Sequence, residues 1–514
     1  MDFQEQFQEG LDVGVDVGVG VDVGVGGMNW DEFGEIENEN ENENEDENEV
    51  THVIQSRVAS LQWDIYWRRL FFLSTSIQHL DLSYIKMKTL SITYLPLTLT
   101  ILNCSYNKLR TIPSLESLTN LKWFKCDNNK ITSLSTLPPS LQYLSCSVNR
   151  LTSLPTLPVH LEKLYCTSNR ITSLPSLFGL RHIQILRCIH NRLTSLPSLY
   201  GLESLEQLYC GSNSLRALPS FMGTPNLKLI DCGTNLITVI PDLPPRLEEL
   251  HCESNLLTSI PALPNSLKTV NCSNNQLISL PPLIHLTNLH ALECSRNQIT
   301  RIPNLHEDAP LTYIICSDNR IEMLPTLPPF VHFLNCSNNF ISLITRNNVT
   351  PNMRFLRCSN NRITHIECLP PTLVELICHT NQLQTQSLPP LPKKLRSLEC
   401  YNNRINITNI ELPPSLRDLH CDPEFIKTFG TLTITTCRNL HLPHPNSQQV
   451  SLPPHIKTLA IRAAVGAGEH CSITFEPISE TNAIVTSCGH VFSQQGFAML
   501  RSSECPICRS PCVC

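Results

Sequence analysis

Cysteine and histidine residues near the end of the chain have the spacing of a metal site. Cys488 and His490 form a C-x-H pair, and Cys505 and Cys508 form a C-x-x-C pair after 14 intervening residues. Three thiolates and one imidazole are the soft donors that Zn²⁺ prefers in a tetrahedral site. The sequence therefore predicts one Zn²⁺ ion held by these four residues. The alternative is a small apolar cluster of free thiols.

The surrounding stretch, residues 466–514, resembles the RING finger family. RING domains have two interleaved zinc sites, and only the second is complete here. Cys471 fills the opening position of the first site, but Thr474, Ser493 and Gly496 stand where its other ligands belong. The stretch is therefore more similar to the SP-RING relatives, which hold one zinc ion, or to the U-box, which holds none. The hydroxyls of Thr474 and Ser493 are predicted to replace the missing metal by hydrogen bonds.

An alternative arrangement would use the last cysteines of the chain. Cys471 would join Cys512 and Cys514 around a second ion. Because this spacing differs from that of the family, one zinc ion per chain remains the prediction.

The RING resemblance implies an activity and three residues that serve it. RING domains act as ubiquitin ligases without a covalent intermediate, because they bind a charged conjugating enzyme and hold its ubiquitin thioester in a reactive pose. Ile473 and Pro506 occupy the two positions that contact the conjugating enzyme in this family. Arg509 stands where the family places a cation that contacts both enzyme and ubiquitin. The plainer interpretations are packing for Ile473 and Pro506, and a surface base for Arg509.

Sixteen other cysteines form a regular series with steps of 20 to 22 residues. Three residues after each of the first fifteen stands an asparagine, from Asn107 to Asn403, and two residues before each is Leu, Val, Ile or Phe. The unit reads L-x-x-L-x-C-x-x-N-x-L-T-S-L-P. The sixteen are Cys104, Cys126, Cys146, Cys166, Cys188, Cys210, Cys232, Cys252, Cys272, Cys294, Cys316, Cys336, Cys358, Cys378, Cys400 and Cys421.

This unit resembles the leucine-rich repeat. Alternation around L-x-C predicts a short strand with inward leucine and cysteine, and the asparagine can satisfy backbone groups where the strand turns. Units this short leave no room for a full helix. The sequence predicts an α/β-type repeat solenoid over residues 76–462, mostly parallel β with an extended or 3₁₀ convex side. A small zinc-stabilised, RING-like α+β module is predicted over residues 466–514.

The cysteine series is interpreted as a ladder of small buried residues rather than disulfides or metal ligands. Unpaired thiols in this number favour a reducing compartment, so we expect a cytoplasmic protein, with the nucleus as another possible location. No run of 18 apolar residues predicts a transmembrane helix, and the acidic start, MDFQEQFQEG, does not resemble a secretory signal. No membrane partner is expected.

Residues one and three positions before each cysteine are predicted to face outward on the concave sheet. Exposed aromatic residues beside arginine are typical anchors of protein interfaces, so this face is predicted to bind a protein substrate. The alternative is that these side chains only cover the sheet. The predicted contact residues are Trp123, Lys125, Tyr143, Lys163, Tyr165, Arg187, Tyr209, His251, Tyr313, Phe333, Phe355 and Arg357.

The residue after the asparagine is basic in eight of fifteen units and predicts a positive ridge. The first five units contribute Lys108, Lys130, Arg150, Arg170 and Arg192 without a break. An acidic partner, nucleic acid or the acidic tail of the chain would suit such a ridge, and a solvated rim is the plainer interpretation. Nucleic acid is disfavoured because the concave face lacks a dense field of Lys and Arg.

The charge of the chain is strongly uneven. Its 514 residues have a formal net charge of −7, yet residues 1–50 hold 17 acidic residues and no Lys or Arg. Alternating Val, Gly and Asp, followed by a Glu-Asn run, predict a disordered tail there. Residues 51–75 mix apolar and basic residues and predict a helix that caps the solenoid, with an adaptor-binding helix as the alternative.

Together these features favour an E3 ubiquitin-protein ligase of the RING type with no covalent catalytic residue. The repeats would bind a protein substrate, and the RING-like module would recruit a charged conjugating enzyme. The repeats also resemble those of bacterial effector ligases, but the separate catalytic domain of those proteins, with its nucleophilic cysteine, has no counterpart after residue 462. The alternative is a non-enzymatic protein-binding adaptor with a structural zinc finger.

Overall fold

A computed structural model gives the fold of the chain, which divides into two compact units, Val50–Cys437 and Met1–Glu49 with Arg438–Cys514. The predictions for the tail 1–50 and the cap 51–75 lie outside the described residues. The structure describes residues 77–91, 95–405, 412–421 and 439–441, and between 461 and 499 it describes 461, 465, 470, 471, 473, 474, 476–479, 481–485 and 491–499.

Each repeat of the larger unit contributes one strand of three residues that ends directly before the cysteine position. Strands β1 to β13 are His79–Asp81, Ile101–Asn103, Trp123–Lys125, Tyr143–Ser145, Lys163–Tyr165, Ile185–Arg187, Gln207–Tyr209, Leu229–Asp231, Glu249–His251, Thr269–Asn271, Ala291–Glu293, Tyr313–Ile315 and Phe333–Asn335. They are followed by Leu343–Ile344 (β14), Phe355–Arg357 (β15), His365–Ile366 (β16), Glu375–Ile377 (β17), Ser397–Glu399 (β18) and Asp418–His420 (β19).

The strands form one parallel ladder in which equivalent residues of successive repeats are paired. Leu250 at the centre of β9, for example, pairs with Ile230 in β8 and Val270 in β10. These three residues are at most 1 % exposed. No repeat could bury its apolar face alone, so the stacked central residues and cysteines supply a continuous core.

The convex side has almost no helix, as the short repeat length predicts. Within residues 95–405 it contains 3₁₀ turns at Arg346–Asn348 and Thr385–Ser387 and no α-helix. The short strands β14 and β16 pair with each other in parallel on this part of the chain. The predicted parallel-β solenoid with an extended convex side is therefore confirmed.

The repeated asparagine joins neighbouring repeats through its buried amide. Asn319 Nδ2 donates to the carbonyl oxygens of Cys294, Cys316 and Ser317 at 2.9, 3.2 and 3.1 Å, and its Oδ1 accepts from the backbone N–H of Ile299 at 3.0 Å. Every asparagine of the repeat series, from Asn107 to Asn403, donates both to the carbonyl at the cysteine position of its own repeat and to that of the preceding repeat. Each repeat is thereby tied to the one before it.

The sixteen cysteines form the predicted ladder of buried free thiols. All sixteen are at most 3 % exposed. Several thiols donate to a carbonyl of the next repeat, as Cys336 Sγ does to the carbonyl of Arg357 at 3.5 Å. Burial raises the pKa of Cys272 and Cys358 to about 12. The thiolate, which is the reactive form, is therefore suppressed at each of these positions.

We expect the ladder thiols to resist alkylation in the folded protein. Iodoacetamide at neutral pH should leave all sixteen unmodified and should modify them after unfolding, because only unfolding exposes them and restores an ordinary thiolate fraction. Peptide mass spectrometry measures the outcome, with partly exposed Cys368 as the internal control. Modification of ladder cysteines at the rate of Cys368 in the native protein would contradict the buried ladder.

The smaller unit contains short elements in its described residues. They are the strand Asn439–His441 (β20), an antiparallel hairpin of Ala483–Val485 (β21) and Val491–Ser493 (β22), and the helix Gln494–Ala498 (α1). Cys471, Ile478 and Phe492 form its buried core. None of the helices that the structure describes is long and apolar enough to cross a membrane.

Candidate functional site

The outward face of the long sheet carries the predicted contact residues at the first and third positions of each strand. We call this surface the concave face. On β3, Phe124 is fully buried, whereas Trp123 is 40 % exposed and Lys125 is half-buried beside it. The same alternation places Tyr143, Lys163, Tyr165, Arg187, Tyr209, Tyr313, Phe333, Phe355 and Arg357 on this face.

Aromatic rings stack from repeat to repeat at the N-terminal end of the concave face. The Trp123 and Tyr143 rings are parallel within 6°, with centroids 4.8 Å apart, and Tyr165 continues the column at 5.4 Å from Tyr143. The Lys125 ammonium lies 5.5 Å from the Tyr143 centroid. Rings in such a column are held by their neighbours, so they lose little side-chain entropy when a partner covers them.

Arg187 completes this group by lying between two tyrosines. Its guanidinium carbon is 4.1 Å from the Tyr209 centroid and 5.8 Å from that of Tyr165, which is cation–π geometry. The Nε atom is buried and makes no hydrogen bond within the described part of the chain. Arg187 as a whole is half-buried, so a partner can contact its accessible surface, and Arg187 is placed as an interface anchor.

A group of carboxylates follows on β8, β9 and β11, and only His251 within it had been predicted from the sequence. Asp231, Glu253 and Glu293 surround His251, which is 5 % exposed and lies 3.4 Å from Glu249 Oε2. Among the residues that the structure describes, no group of three or more His, Cys, Asp or Glu side chains could hold a metal ion.

Two glycines make room for these carboxylates. A Cβ at Gly211 would lie 2.9 Å from Asp231 Oδ1, and a Cβ at Gly233 would collide with Glu253 Oε1. Both glycines directly follow a cysteine, where most repeats have a side chain such as serine. This replacement of a side chain by glycine is the feature of the sequence that could have indicated the carboxylates around His251.

Burial shifts the pKa values of the carboxylates around His251, which we call the central group together with His251. It raises the pKa of Asp231, Glu253 and Glu293 above the usual carboxyl values. Burial would lower the pKa of His251, but the hydrogen bond to Glu249 and the nearby Glu253 and Asp231 charges outweigh it, so that pKa is raised. Glu253 Oε2 is buried with no hydrogen-bond partner among the described residues.

We expect Glu253→Gln to stabilise the protein in alkaline solution. A carboxyl with a raised folded pKa binds more protons in the folded state, so its contribution to stability is lost as pH rises through that pKa. The substitution removes this loss. At about pH 8.5 the variant should have a larger free energy of unfolding than the wild type. This advantage should shrink towards about pH 4.

Urea unfolding across this pH range measures the effect. Glu307→Gln, at an exposed position, is the matched control and should show no such pH-dependent gain. A variant that is equally destabilised at both ends of the range would show that the Glu253 carboxylate is not an electrostatic cost in the folded protein.

A second aromatic group lies on β12, β13 and β15. The centroids of Tyr313 and Phe333 are 5.9 Å apart and those of Phe333 and Phe355 are 6.0 Å apart. Arg357 lies 5.5 Å from the Phe333 centroid, and its Nε donates to Glu375 at 2.7 Å. Phe333 is only 2 % exposed, so the prediction that it is a contact residue is wrong: Tyr313, Phe355 and Arg357 cover it.

The predicted positive ridge lies along the edge where each strand has ended. Lys108, Lys130, Arg150, Arg170 and Arg192 are all exposed, and none of them makes an ion pair with an acidic side chain in the described part of the chain. The backbone N–H of each is bonded to the preceding repeat, as Lys130 is to Leu109 at 2.8 Å. The ridge is therefore a regular consequence of repeat stacking, and its ligand stays a prediction.

The predicted zinc ligands lie outside the described residues, as do Pro506, Arg509, Cys512 and Cys514. Thr474 and Ser493, which the sequence predicted to hydrogen-bond to each other, are among the described residues. Thr474 Oγ1 and Ser493 Oγ are 3.1 Å apart, as the sequence predicted, and Cys471 is fully buried beside them. Burial opposes ionisation of Cys471, but hydrogen bonds from Ser493 and Thr474 lower its pKa to about 6. Ile473 packs, half-buried, against this core.

A parallel ladder of three-residue strands, each followed by a buried cysteine and a bonded asparagine, defines a leucine-rich repeat solenoid. The family described as Leucine Rich repeats (2 copies) matches residues 265–305. YopM from Yersinia enterocolitica WA-314 is 31 % identical, with a TM-score of 0.60, over 73 % of this chain and 82 % of its own. The chain therefore belongs to the leucine-rich repeat family.

Two further solved structures are similar to this chain. A leucine-rich repeat protein of Leptospira interrogans is 27 % identical, with a TM-score of 0.56, over 68 % of this chain and 98 % of its own. The functional domain of InlJ from Listeria monocytogenes, which includes a cysteine ladder, is 25 % identical with a TM-score of 0.51 over 62 % of this chain and 66 % of its own. No curated protein sequence matches the chain. The chain is a leucine-rich repeat protein-binding scaffold.

Proposed function

We propose that the concave face binds a protein partner through its N-terminal aromatic group. The observation that carries the proposal is half-buried Arg187, held between the Tyr165 and Tyr209 rings by cation–π contacts. Arginine and tyrosine in a preorganised cluster are the residue types that dominate binding energy at protein interfaces. A partner with a hydrogen-bond acceptor at its contact surface would complete the site.

Affinity measurements with a partner captured by the full-length protein test this assignment. Arg187→Ala is expected to weaken binding by roughly 30-fold, the loss of about 2 kcal/mol that marks an interface hot spot. Tyr200→Ala, at a position 72 % exposed on a convex turn, is the control and should bind as the wild type does. Equal affinity of Arg187→Ala and wild type would refute the assigned anchor.

We further propose that the RING-like module recruits a charged conjugating enzyme, so that the bound partner becomes a ubiquitination substrate. The order of sequence motifs supports this proposal, with Cys488 and His490 and then Cys505 and Cys508 as one donor set. Three thiolates and an imidazole fit Zn²⁺, which would cross-link two loops of a unit too small for a large core. The described bond between Thr474 and Ser493 supports a module with a metal-free first site.

Autoubiquitination with a panel of conjugating enzymes tests the ligase proposal. Activity is expected to vanish in His490→Ala and to fall sharply in Arg509→Ala and Ile473→Ala, whereas Gln495→Ala, exposed on α1, should retain it. Because Ile473 also packs against the buried core, circular dichroism must show that its variant is folded. Full activity in all three variants would refute the proposed mechanism.

Zinc content distinguishes the arrangements of the module. One ion per full-length chain by elemental analysis is the expected result, two would favour the site with Cys512 and Cys514, and none would favour a U-box-like module. The buried free thiols of the ladder support a reducing compartment such as the cytoplasm for the whole protein.

A non-enzymatic adaptor is the second candidate function. The observation that favours it is the hydroxyl pair of Thr474 and Ser493, which replaces the ligands of one of the two zinc sites of a RING domain. One bound zinc ion without autoubiquitination by any conjugating enzyme would establish the adaptor in place of the ligase.

A further inference from the structure

A cavity of about 580 Å³ opens along the edge of the solenoid where the chain enters strands β13 to β19. It belongs to neither aromatic group of the concave face. Successive repeats contribute its walls, and their side chains come from positions four to seven residues before the cysteine. The lining residues are His332, Asn352, Arg354, Thr372, Val374, Lys393, Lys394, Arg396 and Ser415.

The cavity is strongly cationic. Arg354, Lys393, Lys394 and Arg396 place four permanent positive charges in its wall, and no acidic side chain lines it. None of the four makes an ion pair with a carboxylate in the part of the chain that the structure describes. Within the described residues their mutual repulsion is therefore not compensated by an ion pair.

The same column of the solenoid is neutralised in earlier repeats. Four residues before the cysteine, Glu206, Lys228, Glu248 and Lys268 alternate in sign, and they form ion pairs of 3.1 Å (Lys228 to Glu206) and 2.6 Å (Lys268 to Glu248). At the cavity the equivalent positions are His332, Arg354, Val374 and Arg396. None of these positions is acidic, and Arg417 follows in the next repeat, so positive charge accumulates in this part of the column.

The hydroxyl groups in the wall are already used by the fold. Thr372 Oγ1 donates to the carbonyls of Pro351 and Met353 at 2.8 Å, and Ser415 Oγ donates to those of Lys393 and Leu395 at 2.7 and 2.6 Å. These bonds fix the walls between adjacent repeats. A ligand would therefore be recognised by the ammonium and guanidinium groups.

We propose that this cavity binds a small, multiply phosphorylated ligand. Its volume lies in the range of about 300–1,000 Å³ that small-molecule sites occupy. Val374 is the single apolar side chain in the lining, whereas four lining side chains carry a positive charge. Arginine forks and lysine ammonium groups together suit phosphate oxygens, and four charges match a ligand with at least two phosphate groups.

A long polyanion fits the surroundings less well. Beyond His332 the same column continues to Thr312 and His290 and then to Lys268, which is already paired with Glu248. A nucleic acid strand or an acidic polypeptide needs a cationic track that extends over several repeats. On this side the positive surface ends at the cavity.

Calorimetric titration of the full-length protein with tripolyphosphate in about 0.15 M salt tests the proposal. We expect saturable binding of one ligand and a rise in Tm. Lys394→Gln with Arg396→Gln should weaken binding at least about tenfold, since each charge-assisted hydrogen bond contributes about 1.5–3 kcal/mol. Both side chains are exposed and their removal relieves charge repulsion, so the ligand-free Tm of this variant should be no lower than that of the wild type.

Arg150→Gln with Arg170→Gln is the matched control, because it removes two exposed charges from the positive ridge outside the cavity. It should leave tripolyphosphate affinity unchanged. Absence of saturable binding, or an equal loss in both double variants, would overturn the site. Tighter binding of a glutamate-rich peptide than of tripolyphosphate would overturn the phosphate assignment in favour of an acidic polypeptide.

Discussion

Asn319→Ala is expected to lower the free energy of unfolding by about 1–3 kcal/mol, because a buried polar group left without a partner costs about this much. The side chain is 7 % exposed and serves the carbonyls of Cys294, Cys316 and Ser317 as well as the N–H of Ile299. Alanine leaves the buried Ile299 N–H without this acceptor, whereas the three carbonyls keep a second donor each, from Asn297, Asn339 and the Arg296 N–H. Urea unfolding followed by circular dichroism measures the loss.

The adjacent residue provides the control. Arg320→Ala, at an exposed position one residue later, should change stability by less than about 0.5 kcal/mol. Asn319→Asp keeps the shape but replaces the amide donor with an acceptor facing carbonyl oxygens, so it should be at least as destabilising as alanine. A loss below about 1 kcal/mol for Asn319→Ala would mean that the amide ladder contributes little to repeat coupling.

Leu250→Ala should destabilise the solenoid by about 2–5 kcal/mol and should also separate its unfolding into two steps. Leu250 is fully buried at the centre of β9 between Ile230 and Val270, so its loss leaves a cavity that weakens the contacts of one repeat with both of its neighbours. In a solenoid each repeat contacts only its neighbours, and a weakened middle repeat uncouples the two halves. Calorimetry and denaturant titration would both detect the second transition.

Leu236→Ala tests whether any leucine of this region has the same effect. Leu236 is 43 % exposed and follows the ladder residue Asn235, so its truncation should cost less than about 1 kcal/mol and leave one transition. A single cooperative transition in Leu250→Ala, with a loss similar to that of Leu236→Ala, would contradict the nearest-neighbour account of the fold.

Periodicity was enough to predict the repeat architecture. The alternation around each cysteine placed the strand from Trp123 to Lys125 and its counterparts, and the fixed asparagine indicated a turn stabilised by side-chain hydrogen bonds. Both follow from local chemistry repeated many times, so an error in one unit would not have changed the outcome. The hydrogen bond between the hydroxyls of Thr474 and Ser493 was also predicted from the sequence, and the two oxygens are 3.1 Å apart.

Two residues after each cysteine, the conformational propensity of the amino acid does not predict the backbone conformation. Val148, with φ of 53°, and Tyr106, with φ of 56°, adopt the left-handed region that branched or bulky residues avoid. The N–H of Val148 donates to the carbonyl of Thr167 in the next repeat at 2.8 Å. Ladder hydrogen bonds thus impose one conformation on every repeat, whatever residue occupies the position.

Features that depend on several repeats at once were missed for a related reason. Phe333 looks exposed by position, yet it is buried because the rings on the two adjacent strands are also large. The cationic cavity combines His332 with Arg396, which are 64 residues apart in the sequence and are brought to one edge by stacking. Residue types along one repeat contain no information about what lies beside them in the next.

Site-specific photo-crosslinking is the most direct test of the central claim that the concave face binds the protein partner. In one variant a photoreactive benzoylphenylalanine replaces Gln207, which lies on β7 beside the N-terminal aromatic group that contains Arg187. In the other it replaces Met222, which is 92 % exposed on a convex turn. We predict one cross-linked protein from the Gln207 position, lost when Arg187→Glu is added, and none of that product from the Met222 position. The same product in equal yield from Met222, or an undiminished yield with Arg187→Glu, would contradict the account.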